Sequence, residues 1–582
     1  MESNRRVEDC DFYAEAPVKL NRAQDKLDDL KRTFGRGDAA IARLLRALSK
    51  SNCSDADSLI RFHEALLFIC AYPPSARVAR QARQIVKTFP ARLAQIDEDH
   101  FDTSGLDDPE VSGIAGRSVT SNFSYAIVRW LVAKYPEQLS IDWDWFDEED
   151  RFGAVMPRFL PLLEDDATVE AHVPFRKWLD AASGGQRELT WLMQRFGSLS
   201  LSNREKSNLW DSLKLHVTWE YGVRSSRTGL RLPARKIFFH RSPLIARRDI
   251  SLTRELSSPP IQIDKLSRAE GEKILDLARE TSAVRYRELH GFTYGDAGGV
   301  LKANIGRGTL VYVMGVPPEN RLPLRAYHAA MMFKNGVPVG YFEGLSICER
   351  METGFNLYYT FRDGETAWLY ARILRLTRQL LGVTVFSIDP YQVGHENEEG
   401  IESGAFWFYR KLGFRPVKPE LMKLTEREET KLAKNPSYRT SAATLRKLAA
   451  GHMLFELSPA TSRGCWDRFE VRNLGLAVQR SMARNFDGRA DAMRHASLQT
   501  VARALRLNLR NWKETELQAL EDLSLVLATS RTFDDWDAGQ KSLAARIIRA
   551  KAGADESIYL KLMQEHAALR DVFIRIGCDL KA

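Results

Sequence analysis

Glu402 to Val417 reads ESGAFWFYRKLGFRPV, and the fold of this chain turns on how that stretch is read. Ser403 suits an N-cap, because its hydroxyl can accept from an unpaired N–H of a first helical turn. Phe406, Tyr409 and Leu412 follow at helical spacing, and Gly413 stands where a left-handed C-cap is required. Phe414 to Val417 then read as an extended exit. Pro416 has no N–H to give a ladder, which assigns that exit to a sheet edge or to partial pairing. The spacing therefore predicts a short aromatic helix that stops at glycine and runs straight into a strand.

Upstream, VTVFSIDP (Val383 to Pro390) reads as a short buried strand, and AWLYARILRLTRQLLG (Ala367 to Gly382) as an amphipathic helix ending at glycine. Before them, TLVYVMGV (Thr309 to Val316), AYHAAMMF (Ala326 to Phe333), VPVGYFEGL (Val337 to Leu345) and FNLYYTF (Phe355 to Phe361) are strand-like runs. Asn335-Gly336, between the second and third of these, is the strongest hairpin signal in the chain, because both turn positions need positive φ. A helical pattern covers Ala269 to Ala283. The order of several antiparallel strands, helix, strand, helix, strand predicts an α+β domain in which one late strand lies parallel to its predecessor through a helical crossover.

The flanks read as helical. LIRFHEALLFICAY (Leu59 to Tyr72), FSYAIVRWLVAKY, RELTWLMQRFG and, near the C-terminus, TLRKLAAGHMLFEL, AMRHASLQTVARALRLNLRNW, LQALEDLSLVLA and KSLAARIIRAKA carry apolar residues at helical spacing. His63, inside the first of these, is expected to be a satisfied core or boundary histidine. The run DWDWFDEED (Asp142 to Asp150) lacks EF-hand spacing and reads as a solvated acidic turn. The predicted organisation is a helical region over residues 1–222, a basic linker over 223–264, an α+β domain over 265–420 and a helical domain over 421–582, so that a central mixed sheet with helices is flanked by all-α regions.

A length of 582 residues suggests roughly three or four compact units. With 44% hydrophobic and 28% charged residues the composition is that of an ordinary globular protein. No apolar run reaches the roughly 18 residues of a membrane span, and the polar start MESNRRVEDCDFYAE does not resemble a signal peptide, so no membrane association and a cytoplasmic location are expected. The six cysteines show no CxxC pair and no Cys/His ligand spacing, so free thiols and no metal site are expected. The net charge of +9 is concentrated between Arg224 and Arg254, where nine Lys and Arg residues face Asp249 alone. That segment reads as a solvated linker, or as a surface for nucleic acid or for the nucleotide end of a cofactor.

The junction FRDGETAW, Phe361 to Trp368, places a helix start directly after a strand, where unpaired N–H groups and the dipole suit a pyrophosphate. Gly364 permits close backbone approach, Thr366 can cap, and Arg362 adds charge. Followed by a helix, a strand and AFWFYRKLGF, this junction resembles that of the N-acetyltransferase superfamily called GNAT, over about residues 265–420. The resemblance implies a mixed sheet whose strand before the junction carries an acyl-thioester, with acetyl-CoA or another acyl-CoA held by Tyr359, Phe361, Arg362, Asp363, Gly364, Glu365, Thr366, Ala367 and Phe406. It implies that Tyr409 protonates the departing thiolate and that an amine-bearing acceptor attacks the acyl carbonyl directly. Asp389 and Glu343, with Gln392, are the candidates for base or acceptor contact. The family's junction pattern puts glycine where this chain has Glu365, one position after Gly364, and a carboxylate there would repel phosphate unless it turned away. Glu402 stands where the family often has asparagine. The loop GHENEEG (Gly394 to Gly400) reads as a solvated acidic loop that could also receive a cationic amine. The expected activity is an N-acyltransferase; a non-catalytic scaffold of the same fold and transfer from aminoacyl-tRNA are the alternatives.

Overall fold

The computed structural model describes residues 10–35, 37–51, 53, 55–146, 149–161, 174–457 and 464–578. Among these residues the fold is α+β, 56% helical, with one sheet of three strands and one of nine. No helix among the described residues is long and apolar enough to cross a membrane. The chain divides into two compact units, the first comprising Met1–Pro243, Lys273–Tyr294 and Lys334–Pro338, the second Leu244–Glu272, Gly295–Phe333 and Val339–Ala582.

In the first unit, Asp55 and Ser75 accept from the backbone N–H of Ser58 and Val78, capping the helices Ala56–Ala71 and Ala76–Val86 on either side of the Pro73-Pro74 break. The region is not all-α as expected. Strands β1 (Ser118–Ser121), β2 (Leu139–Ile141) and β3 (Val217–Glu220) form an antiparallel sheet in the order β1-β3-β2. Each has three or four residues, too few for a period of two to register, and the pairing of β1 with β3 spans about a hundred residues of sequence. Trp210, Trp219 and Phe196 fill the core that these strands share with the surrounding helices. His63 is fully buried and satisfied, hydrogen-bonding Thr228 Oγ1 at 3.0 Å and Glu64 at 3.3 Å. Arg227, expected in a solvated linker, is instead buried: it pairs with Glu64 and donates to the carbonyls of Val111 and Ser112. Asp142 accepts from the N–H groups of Asp144 and Trp145, as a turn former does; Asp147 and Glu148 of the acidic run lie outside the described residues.

The large sheet contains β4 (Ile263–Lys265), β5 (Leu301–Gly306), β6 (Thr309–Met314), β7 (Ala326–Lys334), β8 (Val337–Ile347), β9 (Arg350–Leu357), β10 (Val385–Ile388), β11 (Arg415–Pro416) and β12 (Met453–Glu456), in the order β11-β12-β10-β9-β8-β7-β6-β5-β4. Asn335 and Gly336 take φ of 49° and 85° between β7 and β8, as the hairpin signal requires. Every residue of β7 is buried, so both its faces are covered and alternation disappears. The helix Thr366–Leu381 crosses over between β9 and β10, which are parallel, as the order of elements predicts. FNLYYTF is strand only to Leu357; Tyr359–Asp363 is a 3₁₀ turn.

The aromatic helix is Ala405–Arg410, and its N-cap is Gly404 in the left-handed region rather than Ser403. Ser403 closes the preceding helix Glu398–Glu402, which Asn397 caps by accepting from Gly400 N–H, so the last three residues of the acidic loop, Glu398 to Gly400, are helical. Gly413 has φ of 103°, and a Cβ there would lie 3.3 Å from the Phe455 ring. β11 is the sheet edge, in keeping with Pro416, but its neighbour is β12, whose residues MLFE lie within a run that reads as helix. β12 inserts between β10 and β11, antiparallel to both, so the sheet continues beyond residue 420 and the C-terminal region is not wholly helical. A four-residue strand buried on both faces carries no alternation, which is why helical spacing absorbed it.

Candidate functional site

β9 and β10 pair in parallel only through Arg350, Met351 and Glu352, opposite Val385, Phe386 and Ser387. Thr353 to Leu357 extend past this ladder while remaining paired to β8 on their other side, and β10 ends one residue beyond it, at Ile388; the notch between the end of β10 and the continuing β9 is the fork. Glu343 of β8 stands opposite Gly354 in the fork, and Gln392 Nε2 lies 4.0 Å from where a Gly354 Cβ would sit. Tyr327 donates its hydroxyl to Glu343. Asp389 follows β10 and caps the turn Pro390–Val393 by accepting from Tyr391 N–H at 2.9 Å.

Side chains two residues apart on a strand share a face. Glu352 and Asp389 accordingly meet on one face of the fork, and His452, the residue before β12, completes a group whose nearest ligand atoms lie within 4.8 Å of one another. Two carboxylates and an imidazole at this separation can relay a proton, hold an ammonium group or ligate a divalent cation. Arg325 and Arg350 lie 3.4 and 3.7 Å from Glu352. His452 Nε2 lies 3.4 Å from Glu470, whose carboxyl is held down at about 2 by the hydrogen bond from His452 and by Arg472. The other ring nitrogen, Nδ1, is buried without a hydrogen-bond partner. His452 was not singled out from the sequence; the signal for it was the strand β12 that follows it, concealed inside an apparent helix.

Tyr409 belongs to the opposite face. Its ring meets that of Tyr370 at 5.7 Å, and Tyr370 hydrogen-bonds Thr353 at 2.9 Å, the residue that alternates with Glu352. Phe408 and Phe414 close the aromatic group, and burial raises the Tyr409 hydroxyl pKa well above its ordinary value. A buried phenol of this kind stays protonated and can donate. Phe406, Phe361 and Ala367 are buried, which fits packing beneath the junction better than contact with a ligand.

At the junction, Tyr359 is 64% exposed and stacks with the Arg362 guanidinium at 5.6 Å. Arg362 also donates to the Leu357 carbonyl and pairs with Glu399 of the helix Glu398–Glu402. Asp363 is exposed, and Gly364 has a negative φ (φ −84°, ψ −148°), outside the left-handed region that favours glycine. Glu365 turns inward: it is fully buried, paired with Arg307, and accepts from Ile245 N–H at 3.2 Å. The repulsion expected of this carboxylate is thereby neutralised. Thr366 donates to the Arg362 carbonyl at 3.0 Å, and no side chain caps the first turn of the crossover helix. Beside the aromatic helix, burial lowers the pKa of Lys411, and its neighbours Arg247 and Arg439 lower it further. Those three cations form a positive group that an anionic ligand would relieve. Of the basic segment, Arg247 donates to the Trp407 carbonyl at 3.3 Å.

The structure thus gathers Asp389, Glu343 and Gln392 around the fork, adds Glu352 and His452 to them, and sets Tyr409 on the other side of the sheet. No family model matches the chain, and no curated protein or solved structure matches it.

Proposed function

We propose that this chain is an acyl-CoA-dependent N-acyltransferase of GNAT-like architecture, transferring an acyl group, acetyl in the simplest case, directly to an amine. The observation that carries this reading is the fork: two parallel strands joined by a crossover helix, paired for three residues before β10 ends and β9 runs on, with a later antiparallel strand set between β10 and the edge. That notch leaves backbone N–H groups of β9 free for a thioester arm, and the uncapped first turn of Thr366–Leu381 is suited to a pyrophosphate. Asp389, with His452 beside it, takes the proton from the attacking amine; Glu343 and Glu352 hold the cationic acceptor before it is deprotonated; Tyr409 returns a proton to the thiolate. Overall the C–S bond breaks and the C–N bond forms, acyl-CoA and amine giving amide and free thiol; the amine proton passes from Asp389 to solvent, and solvent returns one proton to the Tyr409 phenolate.

The ion pairs Arg362–Glu399 and Arg307–Glu365 favour a second reading, a non-catalytic scaffold of the same fold, because Arg362, expected to meet phosphate, and its neighbour at the junction, Arg307, already have carboxylate partners. Titration calorimetry of the full chain with acetyl-CoA separates the two. Saturable binding with transfer to a panel of amines supports the enzyme; absence of heat with folded protein supports the scaffold.

A further inference from the structure

The loop after the helix Ala490–Ala504 and the helix Ala538–Lys551 bound a groove of about 620 Å³, within the range of ligand sites. Arg506, Lys541, Arg546 and Arg549 line it together with Trp512 and Trp536, and no carboxylate is among the lining residues. The helix Ala538–Lys551 carries no acid at all and Ala490–Ala504 only Asp491, in its first turn, while Glu516 lies 3.8 Å from Arg549 Nε. Arg506 and Arg546 are exposed and form no ion pair among the described residues. Lys541 is tethered to the Asp534 carbonyl at 3.3 Å, which fixes its ammonium at the groove. The Arg549 guanidinium lies 4.9 Å over the half-buried Trp512 ring, and such a stack presents a flat, polarisable plate. The cations also continue past the groove, because Arg503 and Arg510 in the run RALRLNLR are exposed on either side of Arg506.

Unopposed cations beside a stacked aromatic are the two components of sequence-tolerant recognition of single strands, the first for phosphates and the second for bases. The continuation along Arg503 to Arg510 favours a ligand longer than one nucleotide. We propose that this groove binds single-stranded nucleic acid, with phosphates on Arg506, Lys541 and Arg546 and a base on the Trp512–Arg549 stack. This site is separate in sequence and in residues from the fork, and stands whether or not the fork transfers acyl groups.

The test is fluorescence anisotropy of the full chain with a labelled oligouridylate of about 12 nucleotides, a length that covers one site of this kind. Three phosphate contacts give a log–log salt slope of about −2, so affinity should fall roughly 10- to 20-fold between 50 and 200 mM salt. R506A/R546A should weaken binding at least about 10-fold and reduce the slope to about −0.7. W512A should weaken it by roughly 10-fold with the slope unchanged. The control R43A/R46A, on an exposed helical face of the first unit, should leave binding as it was; circular dichroism confirms folding of each variant. Absence of binding at 50 mM salt overturns the proposal, as does an equal loss in R506A/R546A and R43A/R46A. Displacement by uridine monophosphate at matched nucleotide concentration also overturns it, in favour of a mononucleotide site.

Discussion

Arg307 Nη2 meets Glu365 Oε1 at 2.6 Å while Arg307 Nε donates to Oε2 at 2.9 Å, a two-pronged pair at the start of the crossover helix. The carboxylate has no exposure to solvent and the guanidinium little. Arg307→Ala strands a buried charge, a loss of about 3–5 kcal/mol for pairs of this kind. The urea midpoint of the unit holding the large sheet should drop, and adding Glu365→Gln should restore part of it. An unchanged midpoint in Arg307→Ala would mean that water already solvates Glu365.

Tyr409→Phe removes one hydroxyl from an aromatic group that keeps its shape, so folding should be preserved. If Tyr409 is the acid, kcat should fall by roughly 10²- to 10⁴-fold with acetyl-CoA affinity nearly constant. Equal turnover in the two proteins would leave Tyr409 as packing alone.

Asp389→Asn keeps a cap acceptor for Tyr391 N–H but removes the base, so turnover should fall by about 10²-fold or more. His452→Asn should lower turnover by a smaller factor, because it leaves the Asp389 carboxylate in place. Turnover equal to wild type in both variants would separate this group from the chemistry.

Glu64 lies beside Arg227 in the first unit; burial alone would raise its pKa, but Arg227 and His63 hold it down at about 2. A depressed carboxylate stabilises the fold above its unfolded pKa of about 4.3 and loses that contribution as pH falls toward 2. The stability of this unit should therefore decline across that window, by at most about 3 kcal/mol from this group. His63, buried and with its pKa lowered chiefly by desolvation, adds a loss of the same sign beginning below about pH 6.5. Chemical denaturation followed between pH 7 and 3 reads both, and Glu64→Gln should flatten the lower part of the curve.

Gly413 sits at φ of 103° with the Phe455 ring 3.3 Å from a prospective Cβ. Gly413→Ala should cost about 1–3 kcal/mol, from the backbone conformation and from displacement of the ring. A thermal midpoint equal to wild type would show that the turn can relax.

The hairpin at Asn335-Gly336, the crossover helix and the edge strand at Pro416 were legible because each depends on local rules: positive φ, amphipathic spacing and a missing N–H. Ser403 reads as a cap by residue type, whereas Asn397, six residues earlier, starts a helix that Ser403 ends. Tyr409, Asp389 and Glu343 were nominated by type and position, but their faces could not be, since a face is fixed by register and register is set by pairing.

Residues Glu402 to Val417 therefore determined by themselves a helix, its stop and an extended exit. Their neighbour in space, MLFE at Met453–Glu456, comes from nearly forty residues further on and was chosen by the tertiary structure. So were the inward turn of Glu365 onto Arg307 and the arrival of His452 beside Asp389. Local sequence encodes torsions and periodicity within a few residues, whereas these three outcomes depend on which distant groups the closed chain brings within hydrogen-bonding reach.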